Sequence, residues 1–481
     1  MSQIISSLFV IALAGATSPA SASDHVLDGR FDEWTIAPAA EDDRRGLIRE
    51  VRISDEPEFV HLQIDFDREC TLQGLDAELQ IAFDFDGSLK TGPQGWDGMV
   101  VFSPMDEKKG RARAGSEYRY WDQNGQMKTR RTLSDLGVVA LPTHSNDRFE
   151  FRFERPEAFT GKSCRVRILS MGARGEEDST SILEHEFKTK VARGTNRPKI
   201  RFDPAEKEAP NSFRTMSWNG EFGALFKNSM PFIKTFEMLK PDVVFLQELP
   251  DETPAKKLTD WFDRLDGDLT WHASVGGDFL CVAVVTPHPY EPAPELARVM
   301  RQNGNGRESL MRAAGGLIQI EGRTVLAASI HLKCCGRLGS SEDDKRLREA
   351  QAVNKAMRAV IARARPDAVV IGGDLNLVGT PDVLAVLSAG LGRNGTDLMI
   401  AEPMRPRGDA NTTWEKEGQA FVPGRLDFIL YGGSVEMGRA VVTDPGQMDD
   451  RWRRRHGIPA AAPSDHLPID IDLKFTTPKG S

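Results

Sequence analysis

The sequence lacks an excess of basic residues, because its 62 Lys and Arg are outnumbered by 71 Asp and Glu, which leaves a net charge of −9 over 481 residues. A protein that gathers nucleic acid by overall charge needs the opposite balance, so that class is excluded. Any polyanion would have to be held locally. The length exceeds the size at which single hydrophobic cores usually stop growing, so we expect two domains.

Long apolar runs are also missing after the first two dozen residues, and no later stretch approaches the ~18 apolar residues that span a bilayer. The early run "IISSLFVIALAGA" is followed by "SPASA", which fits a secretory signal cleaved after Ala22. We therefore expect residues 1–22 to be a signal peptide and the mature chain to be secreted or periplasmic. Since "MSQ" supplies no Lys or Arg before the run, a membrane anchor is the alternative.

Cysteines are few, and no second pair of Cys or His stands at zinc-ligand spacing, which disfavours a zinc site. The five are Cys70, Cys164, Cys281, Cys334 and Cys335. With export, one or two disulfides are expected, for example Cys70 with Cys164. The adjacent Cys334 and Cys335 could pair with each other, or either could reach Cys281, and the sequence leaves these options open.

The remaining sequence divides into two regions that differ in the spacing of their apolar residues. Over about residues 24–190, apolar and polar residues alternate in short runs, as at Val60, Leu62, Ile64 and Phe66. A period of two predicts half-buried antiparallel strands, so we expect this half to be a β-sandwich domain.

The first half contains "LDGRFDEW", "IAFDFDGSLKTG" and "GWDGMVVFSP", which resemble the sandwich modules of carbohydrate-binding family 9. The resemblance implies a spacer or a glycan-binding role, in which Trp34, Trp96 or Trp121 would stack on a sugar and Asp84 and Asp86 would bind calcium. The alternative is favoured, because large aromatic side chains are usually mostly buried, and the acids would then cap a turn.

Residues 191–210 are polar, charged and rich in proline, and they read as a linker. Beyond them, apolar runs such as "DVVFLQ", "TVLAASIHL" and "AVVIGGDL" are separated by stretches of helical composition. This mixture predicts a layered α/β domain over residues 211–474, followed by a short tail at 475–481.

Polar residues repeatedly end the apolar runs of the second half. Asn219 ends "FRTMSWN", Glu248 ends "DVVFLQE", His331 ends "VLAASIH", and Asp374 and Asn376 end "VVIGGDLN". Since residues i and i+2 of a strand point to the same face, the last two are expected to converge, and the two glycines before them would let the chain turn and leave room for substrate.

Three further polar residues belong to the same pattern, because Asp427 lies in "GRLDFILY" and Asp465 and His466 begin "DHLPIDIDL". Each of the eight could be a helix cap or a solvated strand end, but together they suit a hard divalent cation and a phosphate ester. A His–Asp pair can take a proton from water. Serine-nucleophile chemistry lacks support, since no G-x-S-x-G lies near these runs.

These motifs, in the order "SWN", "QE", "IHL", "GGDLN", "RLDFIL" and "SDH", resemble the endonuclease/exonuclease/phosphatase superfamily, which includes deoxyribonuclease-like enzymes, over residues 214–473. The resemblance implies a four-layer α/β sandwich of two packed β-sheets flanked by helices, with the site where strand ends meet. It also implies dependence on Mg²⁺, or on Mn²⁺ or Ca²⁺.

The resemblance assigns roles to the metal and base residues. Glu248 would ligate the metal, with Asn219 and Asp465 close to it. His466 would be the general base toward the attacking water, and Asp427 would orient it and stabilise its charge.

The same resemblance assigns the remaining three positions to the phosphate. Asp374 would polarise the nucleophile or assist the leaving group, and Asn376 would hold a phosphate oxygen. His331 would stabilise the transition state or protonate the leaving oxygen.

Two basic stretches are candidates for contacts with the substrate. In "RWRRRHG", residues 451–457, the side chains of Arg451, Trp452 and Arg453 would grip phosphates or stack on a base, and a solvated loop is the alternative. Arg346 or Arg348 could also face the phosphate, although charges at the start of a helix more often lie on the surface.

The sequence therefore predicts an exported phosphodiesterase, with nucleic acid as the favoured substrate. A phospholipid or sphingomyelin headgroup is the main rival, and a phosphomonoester is third. A different class of protein is the second hypothesis: a glycan-binding protein whose α/β half is an inactive scaffold.

Overall fold

The computed structural model describes residues 25–191 with short gaps, and residues 211–476 except residue 266. The gaps in the first range are residues 37, 38, 42–45, 91, 107, 123, 131, 132, 134, 135, 156–158 and 160. The predicted signal peptide lies outside the described residues, as do residues 192–210 of the predicted linker and residues 477–481 of the predicted tail.

The first half is built from two antiparallel sheets. The five strands of the first, in spatial order, are Ala40–Glu41, Ile48–Asp55, Phe59–Cys70, Asn146–Glu154 and Val139–Leu141. The strands of the second, in order, are Gly175–Ser179, Ser163–Gly172, Glu78–Asp84, Gly98–Phe102, Ser116–Trp121 and Met127–Arg130, and Leu183–Glu186 also pairs with Ser163–Gly172.

One apolar core joins these two sheets. The alternating side chains of Phe59–Cys70 point Val60, Leu62 and Ile64 inward, where they meet Ile81 and Phe83 of the facing sheet. Both sheets thus bury one face against the other, which is the arrangement that period-two patterning demands. The predicted all-β sandwich is confirmed.

The second half contains two six-stranded mixed sheets. The first, in spatial order, consists of His272–Gly276, Cys281–Thr286, Val243–Leu249, Ser212–Asn219, Ile469–Phe475 and Val435–Val442. The second consists of Tyr290–Pro292, Ala313–Ile320, Arg323–His331, Ala368–Asp374, Asp427–Gly433 and Met399–Ile400. In this half, a short hairpin also joins Met300–Gln302 to Glu308–Leu310. A similar hairpin in the first half joins Met105–Asp106 to Arg111–Ala112.

Helices cover the outer faces of the two sheets. The described α-helices are Ala224–Lys227, Ser229–Leu239, Ala255–Phe262, Pro294–Ala297, Ser341–Ala364, Asp382–Ser388 and Asp450–His456. The longest begins where the Ser340 hydroxyl accepts a hydrogen bond from the Asp343 amide, and ends at Arg365 in the left-handed conformation.

Buried strands explain why the second half forms four layers. In Val243–Leu249, Val243 and Phe245 pack between the two sheets, whereas Val244 and Leu246 pack against the helices on the outer face. Apolar residues on both faces make the run nearly continuous, which is typical of a strand covered on two sides. The predicted four-layer α/β sandwich is confirmed.

The two halves are in direct contact. Leu27 forms a parallel β-bridge with Ala410, and the Arg152 guanidinium lies 3.3 Å from the Asp409 carboxylate in a buried ion pair. The Ser145 amide donates to the Gly379 carbonyl at 2.8 Å. The sandwich therefore lies against the α/β half around the edge where the catalytic candidates lie.

The five cysteines are all free thiols in the structure. The expected Cys70–Cys164 disulfide is therefore not observed, and both side chains are buried in the apolar core of the sandwich. Within the described part of the chain, no helix is long and apolar enough to cross a membrane.

Candidate active site

Strand register places three of the predicted residues side by side. Arg323–His331 and Ala368–Asp374 are parallel, so His331 pairs with Asp374 at their common end. Asp427 begins the antiparallel neighbour and pairs with Asp374 from the other side. A histidine and two carboxylates thus form one row across the edge of the sheet.

The facing sheet contributes Asn219 and Glu248. The strands that carry them are parallel, and Asn219 pairs with Gln247, so both residues end at the same edge. The register shifts between Leu246 and Leu249, and Glu248 has a positive φ of 55°. This β-bulge turns the Glu248 side chain toward the cleft, and a non-glycine residue in this conformation is strained, as is often found at functional sites.

His466 and Asp427 form a buried dyad, with 2.8 Å between Nδ1 of the imidazole and Oδ2 of the carboxylate. The His466 backbone is held by Trp218, whose indole N–H donates to the His466 carbonyl at 2.9 Å. Burial alone would lower the pKa of His466, but the neighbouring carboxylates, Asp427 first and then Asp374, raise it to about 10.

Asp374 and Asn376 both line the cleft, but they do not converge through the pleat of a strand. The strand ends at Asp374, and Asn376 lies in a turn with a φ of 46°. There the Asn376 amide donates to Oδ1 of Asp374 at 2.9 Å. The expectation that a strand positions both was wrong, because the Asp374 side chain caps a turn instead. Burial raises the pKa of Asp374 to about 7.

Glu248, His331 and Asp374 could hold a metal ion, because one ligand atom from each lies within 4.8 Å of the other two. The two carboxylates supply oxygen ligands of the kind that the predicted Mg²⁺, Mn²⁺ or Ca²⁺ prefers, whereas an imidazole ligand is more usual for softer divalent cations. Burial, followed by the positive charge of Arg312, lowers the pKa of His331 well below its usual range. A neutral imidazole is the form that binds metals or donates to a phosphate oxygen.

Asn219 lies beside this group, since its side-chain amide donates to Oδ2 of Asp374 at 3.1 Å. Asp465 lies in the same cleft, but its Oδ2 accepts hydrogen bonds from the Trp414 indole and from Lys416, each at 3.2 Å. Lys416 also contacts Glu221 at 2.6 Å. The positive charge of Lys416 thus offsets the negative charge of Asp465. Metal binding by Asp465 therefore stays a prediction.

Trp452 and Arg453 are not placed to contact a substrate. Trp452 packs into the apolar core beneath the outer helices, and Arg453 is buried in an ion pair with Asp450. They were misassigned because "RWRRRHG" forms a short helix, Asp450–His456, whose buried side carries both residues. Arg451 is exposed and is not among the residues that line the cleft.

Arg346 does not face the cleft either. It is fully buried and donates to the carbonyls of Lys333 and Cys335 at 3.0 and 2.6 Å, so it fixes the segment that follows His331. Arg348 is half-buried and does not line the cleft.

The predicted ligand sites of the sandwich differ in how well the structure fits them. Trp34 is buried, so it cannot stack on a sugar, and Trp96 and Trp121 are half-buried. Carboxylate oxygens of Asp84 and Asp86 do lie within 4.8 Å of each other and of Asp97. Asp84 is, however, already bound to Arg165 at 2.6 Å, so calcium binding stays a prediction.

The two glycines before Asp374 do not turn the chain, because both belong to the strand Ala368–Asp374. A Cβ on Gly372 would lie 2.2 Å from the Phe245 ring, and one on Gly373 would lie 1.9 Å from the Ile330 carbonyl oxygen. The expected turn was wrong: the glycines allow close packing of the two sheets and of neighbouring strands.

Residues at or beside the cleft that were not predicted from the sequence include Trp414 and Lys416, which line it, and Arg312 and Glu221, which contact His331 and Asp465. Arg312 lies 3.0 Å from Nδ1 of His331 and donates to the Leu332 carbonyl at 2.7 Å. Of these residues, Glu221 alone had a feature that the sequence could have revealed, because it stands two residues after Asn219, which ends an apolar run. The others come from loops, where no apolar run marks the end of a strand.

Residues 216–466 match the model of the Endonuclease/Exonuclease/phosphatase family. The match spans more than half of the chain, and the chain therefore belongs to this family. Members of the family are phosphoesterases and nucleases. No curated protein matches the sequence of the chain.

Several solved structures are similar to part of the chain. Truncated TDP2 from Caenorhabditis elegans has 19% identity and a TM-score of 0.38, with 55% of this chain and 98% of that chain covered. The catalytic domain of human Nocturnin has 17% identity and a TM-score of 0.39, covering 58% and 96%. An AP endonuclease from Archaeoglobus fulgidus has 13% identity and a TM-score of 0.34, covering 55% and 100%.

Proposed function

We propose that this chain hydrolyses phosphodiesters with the help of a divalent cation, His466 and Asp427. One observation carries the proposal: Glu248 and Asp374 of the candidate metal group line the same cleft as His466 of the buried dyad. Nε2 of His466 is 3.8 Å from Oδ2 of Asp374. A single phosphate bound beside the two side chains could therefore contact both.

Each residue has a role that its surroundings support. Glu248, His331 and Asp374 would hold the cation, which when bound offsets the charge of the phosphate and favours ionisation of water. Asn376 lies at the cleft wall, where its side-chain amide can donate to a phosphate oxygen. Asn219 orients Asp374 through its hydrogen bond.

His466 is assigned as the base because its Nδ1 is bound to Asp427, which leaves Nε2 to accept a proton. In the hydrolysis, a water oxygen attacks phosphorus as His466 takes its proton. The bond between phosphorus and the leaving oxygen then breaks, and that oxygen takes a proton from solvent. The products are a phosphomonoester and an alcohol.

The pKa of His466, about 10, fits this role only when positive charge lies nearby. Below that pH the imidazole is protonated and cannot act as a base. Positive charge at Asp374 and Glu248 would offset the carboxylates that raise the pKa and so release the base. Activity and cation binding are therefore expected to rise together.

Export to the periplasm or the medium stays part of the proposal, on the strength of the sequence of residues 1–22. Nucleic acid and a phospholipid or sphingomyelin headgroup stay the candidate substrates. The second hypothesis, a binding protein with an inactive scaffold, is disfavoured because all eight motif residues are present. Five of them line one cleft, and the other three, Asn219, His331 and Asp427, contact residues that line it.

The test is a screen of the purified mature chain with Mg²⁺, Mn²⁺ or Ca²⁺ against bis-p-nitrophenyl phosphate, supercoiled DNA, RNA and sphingomyelin. Cleavage that is lost with EDTA and restored by excess cation supports the proposal. Glu248→Gln should need far more cation, whereas Glu252→Gln, on a neighbouring exposed glutamate, should behave as wild type. Failure to cleave any diester with every cation would overturn the proposal.

A further inference from the structure

The catalytic residues open into a cleft that both halves of the molecule line. The cavity has a volume of about 460 Å³ and is lined at one part by Asp374, Asn376 and His466. Another part of its wall is supplied by the N-terminal sandwich. The sandwich residues there include Phe102, Ala114, Ala140 and Pro142.

The sandwich is fastened to the α/β half along this cleft. The Ser116 hydroxyl donates to the Ala420 carbonyl at 2.9 Å, and the Arg425 amide donates to the Thr143 hydroxyl at 2.8 Å. Ser116 and Thr143 both line the cavity. Hydrogen bonds at the wall itself hold it at a fixed distance from the catalytic groups, which a tethered spacer would not do.

The chemistry of the wall is largely apolar. A loop of the α/β half contributes Phe421, Val422 and Pro423, which face the same cavity as the sandwich residues. Two aromatic side chains at the cleft, Phe222 and Phe421, keep 57% and 44% of their surface exposed. Exposed aromatic side chains beside a polar reaction centre are typical of a site that binds an apolar group.

Positive charge is scarce along the cleft. Apart from His466, Lys416 is the one cationic side chain among the described residues that line it, and Lys416 is engaged by Glu221 and Asp465. A polynucleotide needs a row of cations that follows its backbone. The cleft lacks such a row and offers apolar surface in its place.

We propose that the cleft binds a phosphodiester that carries a compact apolar alkyl or aryl group, and that the N-terminal sandwich forms part of the pocket for this group. The inference rests on the proposed phosphodiester hydrolysis and narrows its substrate class. A cavity of this size matches sites for small molecules, which measure roughly 300–1,000 Å³. The sandwich is thereby a specificity element of the enzyme.

The test uses the whole purified chain and a series of alkyl p-nitrophenyl phosphates, from methyl to hexyl, which share one leaving group. Burial of each methylene should raise kcat/KM up to about fourfold, so the hexyl ester should exceed the methyl ester by about tenfold or more. A single-stranded oligonucleotide serves as the competing substrate. We expect it to be cleaved with a lower kcat/KM than the hexyl ester.

Two pairs of variants locate the pocket. Phe421→Ser should reduce the hexyl-to-methyl ratio, whereas Phe279→Ser, on a phenylalanine that is 60% exposed away from the cleft, should not. Ala114→Gln places a polar amide on the sandwich wall and should also reduce the ratio. Its control is Ala112→Gln, two residues earlier in the chain and outside the cleft.

The possible outcomes distinguish the inferred pocket for an apolar group from the proposed phosphodiester hydrolysis on which it rests. Hydrolysis of the methyl ester with no dependence on chain length, or with equal ratios in all four variants, would overturn the inference and leave the proposed function standing. The same holds if the oligonucleotide is the better substrate. No hydrolysis of any ester or of the oligonucleotide would overturn both.

Discussion

Asp427 is a fully buried carboxylate whose Oδ2 accepts a hydrogen bond from Nδ1 of His466, while its Oδ1 has no hydrogen-bond partner among the described residues. Burying a carboxylate in this way destabilises the folded protein unless a neighbouring group interacts with its charge. Its use here is to stabilise the imidazolium that forms when His466 takes a proton from water.

Asp427→Asn is expected to lower kcat about a hundredfold or more, since a general base typically contributes 10²–10⁴-fold. Because Asp427 raises the pKa of His466, its loss lowers that pKa, and the rising limb of the pH–rate profile should move to lower pH. The measurement is kcat/KM against pH for both proteins. A limb that stays in place would show that another group is titrating.

Cys334 offers a second residue-scale test, because it lines the cleft. A hydrogen bond from Cys335 and the charge of Lys333 lower its thiol pKa to about 5. Burial instead raises the pKa of Cys70 and of Cys164 to about 12. Since the thiolate is the nucleophile, iodoacetamide at neutral pH should label Cys334 first, as read by peptide mass spectrometry. Earlier labelling of Cys70 or Cys164 would contradict the described fold.

Most catalytic candidates could be predicted at the residue scale because polar residues at the ends of apolar runs are conspicuous. Asn219, Glu248, His331, Asp374 and His466 all border or line one cleft. Trp452 was misplaced because a basic run looks alike in a loop and in a helix that buries part of it. Arg312 and Lys416 carry no such mark, since their position depends on loops that fold against distant strands.

At the scale of elements, two pairs of parallel strands build the site. Each pair ends at the same edge of its sheet, which brings His331 to Asp374 and Asn219 to Gln247, one residue before Glu248. The sequence predicted the strands, but not the bulge at Glu248 or the turn at Asn376. Both depend on one residue adopting a positive φ, which local patterning does not reveal.

Gly373 tests the packing of these strands. A Cβ there would lie 1.9 Å from the Ile330 carbonyl oxygen in the neighbouring strand, so Gly373→Ala should destabilise the fold by about 2–3 kcal/mol. It should also lower activity, because the strand pair carries both His331 and Asp374. Thermal unfolding provides the measurement.

The matched control is Gly304→Ala, at a glycine with open space around it and no positive φ. That variant should unfold at the wild-type temperature. If the two variants prove equally stable, the close strand contact at Gly373 does not exist.

At the scale of the whole molecule, the sandwich and the α/β half share both an interface and a cleft. The spacing of apolar residues predicted the fold of each half separately, and the first half was interpreted as a spacer or a glycan-binding module. The contacts that join them link residues far apart in the chain, such as Arg152 and Asp409, which are 257 positions apart. Local periodicity carries no information about such pairs.

Glu150 connects the beginning of the described chain to the sandwich, because its Oε1 accepts from the amides of Asp28 and Gly29 at 2.9 and 2.7 Å. Burial raises its pKa from 4.5 to about 8. Between these values the folded protein holds a proton that the unfolded chain has lost, so stability should fall as pH rises across the window.

Glu150→Gln keeps an oxygen acceptor and removes the titration. Its melting temperature relative to wild type should therefore be higher at about pH 8 than at about pH 5. Glu184→Gln, on an exposed glutamate of the same half, should show no such difference. A Glu150→Gln protein that gains nothing at the higher pH would show that Glu150 ionises normally.

The central claim is that His466, oriented by Asp427, which stabilises the imidazolium once it forms, is the base for phosphodiester hydrolysis. It is tested by kcat/KM on bis-p-nitrophenyl phosphate with the best cation, for His466→Ala and for His288→Ala. His288 also pairs with an aspartate, Asp242, at 3.0 Å, but it does not line the cleft. We expect His466→Ala to lose about a thousandfold and His288→Ala to match the wild type. A folded His466→Ala protein with near-normal activity would contradict the account.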